Sequence, residues 1–277
     1  MRIHLGGSSR QSLVAARAKL DAAIKGASAA TASELSAHLF FAAEVFASNT
    51  SIRRAFTDSS RDASSKTALV KDLFGSKISS GASDLLADVA GLRWSAAGDL
   101  VTVIEQLAIE AEASAANVDG ALDRLESEFF EVSRVIADNF ELRKALVGNG
   151  SVDAKGALIA DVLSKSASAS TVKLAVALVT SLRGRSIEAA FADYLFGLAN
   201  RRNRLIAHVR VATVITDAQK TRLAAAIEKQ VGQPISVNIQ VDPSIVGGVS
   251  VKFADELVDG SISNRLASAG RALVGQN

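Results

Sequence analysis

From Met1 to Gln233 the chain contains no proline; its only two, Pro234 and Pro243, stand near the C-terminus. Proline is the residue that most reliably ends a helix, because it lacks the backbone donor and clashes with the preceding turn. A stretch of this length without it, rich in Ala, Leu, Ser, Lys, Glu and Arg, is free to form helix after helix. The spacing of apolar residues says that it does. Leu13, Ala16, Leu20 and Ile24 recur at helical intervals, as do Leu35, Leu39 and Phe46. So do Leu100, Ile104, Leu107 and Ala111, then Leu122, Leu125, Phe129, Val132 and Ile136, then Ile187, Phe191, Leu195 and Leu198. Each set lines one face of a 3.6-residue period. The breaks at 58–65, 148–151 and 165–168 are short and rich in Ser and Asp, which makes them N-cap candidates for the helix that follows. Short loops between amphipathic helices predict antiparallel neighbours in a bundle.

The period changes near Arg204. From Leu205 to Ile215 the odd positions are apolar apart from Thr213, which predicts a strand with one buried face. Asp217 to Val231 returns to helix. Ile235, Val237, Ile239 and Val241 alternate with Ser236, Asn238 and Gln240, and Val249, Val251 and Phe253 alternate with Ser250 and Lys252. Ser261 would cap a last helix through Leu266, Ala269 and Leu273. The expected class is therefore α+β: an all-α helical bundle over residues 1–203, then a small α/β domain over 204–277.

The helical part repeats itself. At a shift of 90, Phe40, Val45, Asn49, Arg53 and Ala55 match Phe130, Val135, Asn139, Arg143 and Ala145. One residue is then lost, and Lys66, Leu69 and Asp72 match Lys155, Leu158 and Asp161 at a shift of 89. Leu92-Arg93 matches Leu182-Arg183 at 90 again. Residues 33–108 and 123–198 read as duplicated helical units. Two copies fall short of the three or more that build a solenoid, so two packed bundles or one enlarged bundle is expected.

The search for chemistry returns little. With 31 basic and 29 acidic residues the net charge is +2, which offers no electrostatic case for nucleic acid or a bare anionic membrane. Cysteine is absent, so disulfides, zinc-thiolate sites and cysteine nucleophiles are excluded. No run reaches the roughly 18 apolar residues that a membrane-spanning helix needs, so any membrane association must come through partners. His4, His38 and His208 are unpaired at metal spacing, and a helix-surface or partner-contact role suits His38 and His208 better than a ligand role. No phosphate-loop, dinucleotide or nucleophile-elbow pattern occurs. Gly247-Gly248 could bring a ligand close to backbone, but glycines at a strand start more simply allow a bulge or close packing. Asp242, Asp255, Glu256 and Asp259 could suggest a cation, yet Asp242-Pro243 and Asp259-Gly260 read as turn formers. Arg201, Arg202 and Arg204 suit a helix C-terminus. No catalytic residue, metal ligand or cofactor site is expected.

The segment Val241 to Leu266, VDPSIVGGVSVKFADELVDGSISNRL, is the most specific in the chain. It resembles the C-terminal signature of the ATP synthase delta subunit family, called the oligomycin-sensitivity-conferring protein in mitochondria. The signature positions are Asp242, Pro243, Gly247, Gly248, Asp259, Gly260, Ser261 and Leu266. Glu141-Leu-Arg-Lys-Ala-Leu and Val152-Asp-Ala-Lys-Gly-Ala-Leu are similar to family helices, Arg201 to Thr216 to its first strand, and residues 8–24 to its first helix. The resemblance implies a long, actinobacterial-type form whose extra segment, about 25–115, is the repeat copy. It implies a non-catalytic stator subunit, monomeric in isolation and present once per complex. Such a subunit would sit peripherally on the cytoplasmic face of the plasma membrane. The helical domain would hold the N-termini of the alpha subunits, and the C-terminal domain the C-terminal region of the b subunit. The family's partner groove, carried onto both copies, would be bordered by the helices Ser79–Trp94 and Ala169–Leu182, with Leu85, Leu92, Leu174 and Leu178 as candidate contacts. The alternative is an unrelated helical adaptor with an α/β appendage.

Overall fold

The computed structural model describes residues 5–75, 77–204, 206–231, 235–242, 249–253 and 256–259. Its contacts divide the chain into two compact units, Met1–Ala199 and Asn200–Asn277.

The first unit is helical: α1 (Gly7–Ala23), α2 (Ala29–Ser48), α3 (Thr50–Thr57), α4 (Ala63–Phe74), α5 (Ser80–Ala90), α6 (Ala97–Val118), α7 (Leu122–Asp138), α8 (Phe140–Val147), α9 (Val152–Leu163), α10 (Ala169–Thr180) and α11 (Ile187–Arg204). The division between the units falls within α11. Polar residues in the breaks start these helices. The side chains of Ser28, Asn49, Asp62 and Ser79 accept from the backbone three residues on and cap α2 to α5, and Asn139, Ser151 and Ser168 do the same for α8, α9 and α10. Each cap satisfies a donor that the first helical turn leaves without a partner, and contributes about 1 kcal/mol.

The element order repeats. α3 and α8 both have 8 residues, α4 and α9 both have 12, and α5 and α10 have 11 and 12. The caps Asn49 and Asn139, Asp62 and Ser151, and Ser79 and Ser168 stand at the repeat spacing, and so do the buried pairs Phe56 and Leu146, Val70 and Ile159, and Phe74 and Leu163. α1, α6 and α11 begin at Gly7, Ala97 and Ile187. α6 is thus the closing helix of the first set and the opening helix of the second. From Val103 to Ala116 every residue of α6 is buried, on all sides. The core of the first set gathers around it, with Leu20, Leu39, Phe46, Phe56, Phe74, Leu86 and Leu100 fully enclosed. Phe129, Phe191 and Tyr194 continue the aromatic packing in the second set, with the Phe191 and Tyr194 ring centroids 5.1 and 5.9 Å from that of Phe129. α11 passes close to α6 at Gly197, where an added Cβ would stand 2.8 Å from Gln106 Nε2.

One tie between α7 and α10 is sensitive to acid. Glu128 accepts from the Ser168 backbone N–H and the Thr171 hydroxyl, both at 2.7 Å, and from Arg124 Nε at 2.6 Å. Burial pushes its carboxyl upward, but these donors outweigh burial and hold the group at about 2 instead of the ordinary 4.5. The folded value is the depressed one. The stabilisation is therefore complete above about pH 4.5 and is lost as pH falls toward 2. Glu128→Gln is expected to melt several degrees below the parent at pH 7 and close to it near pH 2.5. Thermal melts across that range check this; an equal deficit at both ends would contradict it.

The second unit holds a four-stranded sheet of order β2-β1-β3-β4, made of β1 (Ile206–Val211), β2 (Ser236–Val241), β3 (Val249–Phe253) and β4 (Glu256–Asp259). β1 and β2 run parallel, joined through α12 (Asp217–Val231); β3 pairs antiparallel with β1, and β4 pairs antiparallel with β3, which leaves β2 and β4 at the edges. Ala207, Val209 and Val211 are buried, as the odd-position pattern requires. The structure departs from the sequence expectation at two places. β1 ends at Val211, not Ile215: Thr213 breaks the alternation, and Val214 is 85% exposed. β4 was not anticipated, because four residues are too few to display a period; its register pairs Phe253 with Glu256 across a two-residue link. With the twelve helices among the described residues, this is an α+β protein.

Candidate partner-binding surfaces

The most concentrated charge in the first unit lies inside it. Glu105, Glu110 and Glu112 of α6 are 4, 0 and 1% exposed. Buried carboxylates are tolerated only when paired, and each has a cation from another helix or loop. Glu110 Oε1 takes Arg17 of α1 at 2.6 Å and Gln106 at 3.0 Å. Glu112 takes Lys173 of α10 at 2.9 Å, with Ser170 at 2.6 Å and Ser33 of α2 at 3.1 Å. Glu105 takes Arg183, Arg185 at 2.9 Å and the Tyr194 hydroxyl at 3.2 Å. Arg183 and Gly184, at φ 50 and 76, make the left-handed turn from which both arginines reach Glu105. Burial first, and the Glu105 charge next, push the Tyr194 hydroxyl well above its usual range. Burial pushes the Arg185 guanidinium downward, but the charge and hydrogen bond of Glu105, with Tyr194 and Asp193 beside it, together outweigh burial and raise it. Shifted groups of this kind occur at catalytic sites and equally in structural ion-pair networks. Here both Glu105 oxygens are engaged, although Glu105 borders a pocket of about 160 Å³ between α2, α6, α9 and α10. These three clusters bind α1, α2, α10 and the α10–α11 loop to one central helix. Among the described residues no group of His, Asp or Glu could hold a metal.

The candidate groove residues lie elsewhere than expected. Leu85 is 2% exposed, and Leu174 and Leu178 are 0% exposed; all three belong to the core. Leu92 is half-buried and packs against the same core. The apolar stripes of α5 and α10 are turned toward their own bundle, so Leu85, Leu174 and Leu178 do not line a surface. His38 is likewise not a free surface residue: its Nδ1 accepts from the Ser79 backbone N–H at 3.3 Å and supports the start of α5.

The accessible apolar surface belongs to the second set. Phe130, Val135, Phe140, Val147, Val152, Leu158, Val162 and Phe196 are between 36 and 61% exposed, against Val14, Phe41 and Val118 in α1 to α6. At the repeat spacing Phe140 and Val147 replace Thr50 and Thr57, and Val152 replaces Ala63. An open groove of about 250 Å³ runs between α7 and α11, walled by Ser133, Ile136 and Ala137 on one side and by Ile187, Phe191, Ala192 and Leu195 on the other, with Arg134 and Glu188 at its rim. Arg143 of α8 meets Glu188 at 3.5 Å, and the cations of Arg143 and Lys144 stand about 6 Å over the Phe140 ring. Apolar walls with a charged rim are what an amphipathic helix seeks.

In the second unit Asp242 follows β2. Its backbone N–H donates to Val211 O at 2.8 Å, which extends the pairing of β1 with β2, and its carboxylate meets Arg210 at 3.3 Å. Asp259 ends β4. Pro243, Gly247, Gly248, Gly260, Ser261 and Leu266, and the expected helix after Ser261, lie outside the described residues.

Comparison with known proteins agrees with this architecture. The family model described as ATP synthase delta (OSCP) subunit matches residues 109–273. It begins within α6, so it takes in the second helical set and the sheet unit. The ATP synthase subunit delta of Streptomyces coelicolor is 39% identical over 268 residues, 96% of this chain and 97% of its own length. That of Kineococcus radiotolerans is 38% identical over 270 residues, 97% and 98% of the two chains. That of Streptomyces griseus is 36% identical over 272 residues, 98% and 100%. These matches include the first helical set, so the long form is shared.

Proposed function

Since the chain belongs to the ATP synthase delta (OSCP) subunit family, a structural component of the peripheral stalk, we propose that it is the non-catalytic joint between the alpha/beta head and the b-subunit stalk. The helical unit holds N-terminal segments of the alpha subunits. The sheet unit holds the C-terminal region of b. The head is thereby kept from turning with the rotor, and rotation does work on ATP synthesis. No helix among the described residues is long and apolar enough to cross a membrane; membership of an ATP synthase subunit family supports a peripheral place on the membrane complex, at its cytoplasmic face in this reading. The observation that carries the reading is the division of one chain into an all-helical unit with an accessible apolar face and a separate small sheet unit. Two units of different architecture suit two different partners.

The test uses the full-length chain, a synthetic peptide of the alpha-subunit N-terminus and a soluble C-terminal fragment of b. Both are expected to bind at once, without displacing one another. Failure of both to bind a folded chain would overturn the reading, and mutual displacement would overturn the two-site form of it. In isolation the chain is expected to be a monomer by light scattering; a stable homodimer would count against one copy per complex.

A further inference from the structure

The link from α8 to α9 reads Gly148-Asn149-Gly150-Ser151, and all four residues are exposed. Asparagine is a thermolabile residue. Its side-chain amide carbon lies within reach of the next residue's backbone nitrogen, and a glycine there puts no side chain in the way. Such a pair is protected when that N–H is hydrogen-bonded, because the nitrogen is then fixed and keeps its proton. Here the protection is missing. Gly148 N–H donates to Lys144 O at 2.8 Å, and the Ser151 hydroxyl accepts from Ala154 N–H at 3.2 Å, but no described residue accepts from the Gly150 N–H. A Cβ built on Gly150 would meet nothing nearer than Lys155 Cε at 4.0 Å, so the backbone is open on that flank. The duplication supplies a comparison. Asp58, at a shift of 90 from Gly148, folds back on its own loop and accepts from the Ser60 N–H at 2.9 Å and the Ser60 hydroxyl at 2.7 Å. Gly148 has no side chain to hold Gly150 in the same way. Asp119-Gly120 supplies another, since the Gly120 N–H donates to Asn117 O at 3.0 Å. The other described asparagines, Asn49, Asn117, Asn139, Asn200, Asn203 and Asn238, precede larger residues that lie in helix or strand.

We propose that Asn149-Gly150 is a site of spontaneous covalent modification in the folded chain. The Gly150 nitrogen loses its proton and attacks Asn149 Cγ. The new C–N bond closes a five-membered succinimide, the bond from Cγ to the amide nitrogen breaks, and ammonia leaves with the proton. Water then opens the ring at either carbonyl and leaves aspartate or isoaspartate at the position. The reaction needs water alone, with no oxidant and no second protein. Lys155, whose Cε is the nearest atom to that flank of Gly150, brings a cation to the side on which the anionic nitrogen forms. The product places a carboxylate on an edge that was apolar, between Val147 and Val152, which are 51 and 55% exposed. It lowers the net charge of +2 by one, and isoaspartate also adds a methylene to the main chain just ahead of the cap Ser151. The inference goes beyond the stalk reading and does not depend on it.

The experiment incubates the full-length chain in warm, mildly alkaline buffer and follows the tryptic peptide Ala145–Lys155 by mass spectrometry, in the parent, Gly150→Ala and Asn149→Gln. Both positions are exposed, so neither change touches the core, and circular dichroism confirms the fold. The parent peptide is expected to gain about 1 Da, and to do so roughly tenfold or more faster than a peptide holding any other described asparagine. Isoaspartate in it is identified by methylation with isoaspartyl methyltransferase. Gly150→Ala is expected to slow the gain by about tenfold, because a methyl group then crowds the attacking nitrogen. Asn149→Gln is expected to hold its mass over the same period, since its attack would need a six-membered ring. In the folded parent isoaspartate is expected at position 149 and not at Asp119; in urea, which releases the Gly120 N–H, it is expected at both. A gain at Asn149 no faster than at Asn117 or Asn200 would overturn the proposal, and so would an unchanged rate in Gly150→Ala. A gain seen only in urea would show that the folded loop holds Gly150 after all, and would overturn it as well.

Discussion

Replacing Glu105 by alanine is expected to lower the stability of the helical unit by about 3 kcal/mol or more, with a melting temperature lower by on the order of 10 °C. The cost does not come from losing an attraction alone. Arg183 and Arg185, 22 and 21% exposed, would lose their shared carboxylate, leaving Arg185 with Asp193 alone at 3.3 Å, and Tyr194 would lose its acceptor. Removing one member of a buried ionic cluster costs far more than exchanging the whole cluster for apolar side chains of similar volume. The prediction therefore has a second half. Glu105→Leu combined with Arg183→Leu and Arg185→Leu is expected to recover most of the loss, since the repeat counterpart of Glu105 is already a leucine, Leu195. Denaturant unfolding of the single and triple variants checks both halves. A triple variant no more stable than Glu105→Ala would show that the network contributes more than charge balance.

The second large effect is expected at Leu174 and its repeat counterpart Leu85. Leu174→Ala and Leu85→Ala each leave a cavity in a closed core, and the usual cost is about 2–5 kcal/mol. Leu174, at 0% exposure, should fall in the upper part of that range, and Leu85, at 2%, should match it closely. Urea unfolding followed by far-ultraviolet dichroism measures it, with the midpoint expected to fall and the slope to hold. A loss under about 1 kcal/mol at either site would mean that the side chain is not enclosed as described. The same variants report on packing: a drop in partner affinity that tracks their lost stability comes from the core.

What the sequence disclosed, and what it did not, follows from the range of the forces involved. Helix phase is local, and Leu125, Phe129, Val132 and Ile136 are buried where their spacing placed them. Caps are local too: Asp62, Ser151 and Ser168 come from the three polar breaks and start α4, α9 and α10. α6 was harder. Its apolar spacing marks one face for burial, whereas the whole helix is enclosed, and its glutamates look like a solvated face until Arg17, Lys173, Arg183 and Arg185 arrive from 61 to 93 residues away. No local pattern announces such partners. The leucines of α5 and α10 were misplaced for the same reason. Periodicity says that a stripe will be covered; it does not say whether its own chain or another molecule covers it. The usable signal was the comparison of the two copies, in which Thr50 and Thr57 become Phe140 and Val147 and the second set grows apolar on its outside.

The shared helix sets how a chain of this kind can lengthen. Gly7, Ala97 and Ile187 open three helices at equal intervals, and the middle one serves two neighbours at once. Lengthening by this increment adds five helices, not six, because each new copy borrows the last helix of its predecessor. Such a series always has a terminal member whose borrowed helix has no heir. α11 is that member here: after it the chain turns to strand at Ile206 instead of starting another copy. α11 serves one set where α6 serves two, so the series closes on a half-used helix.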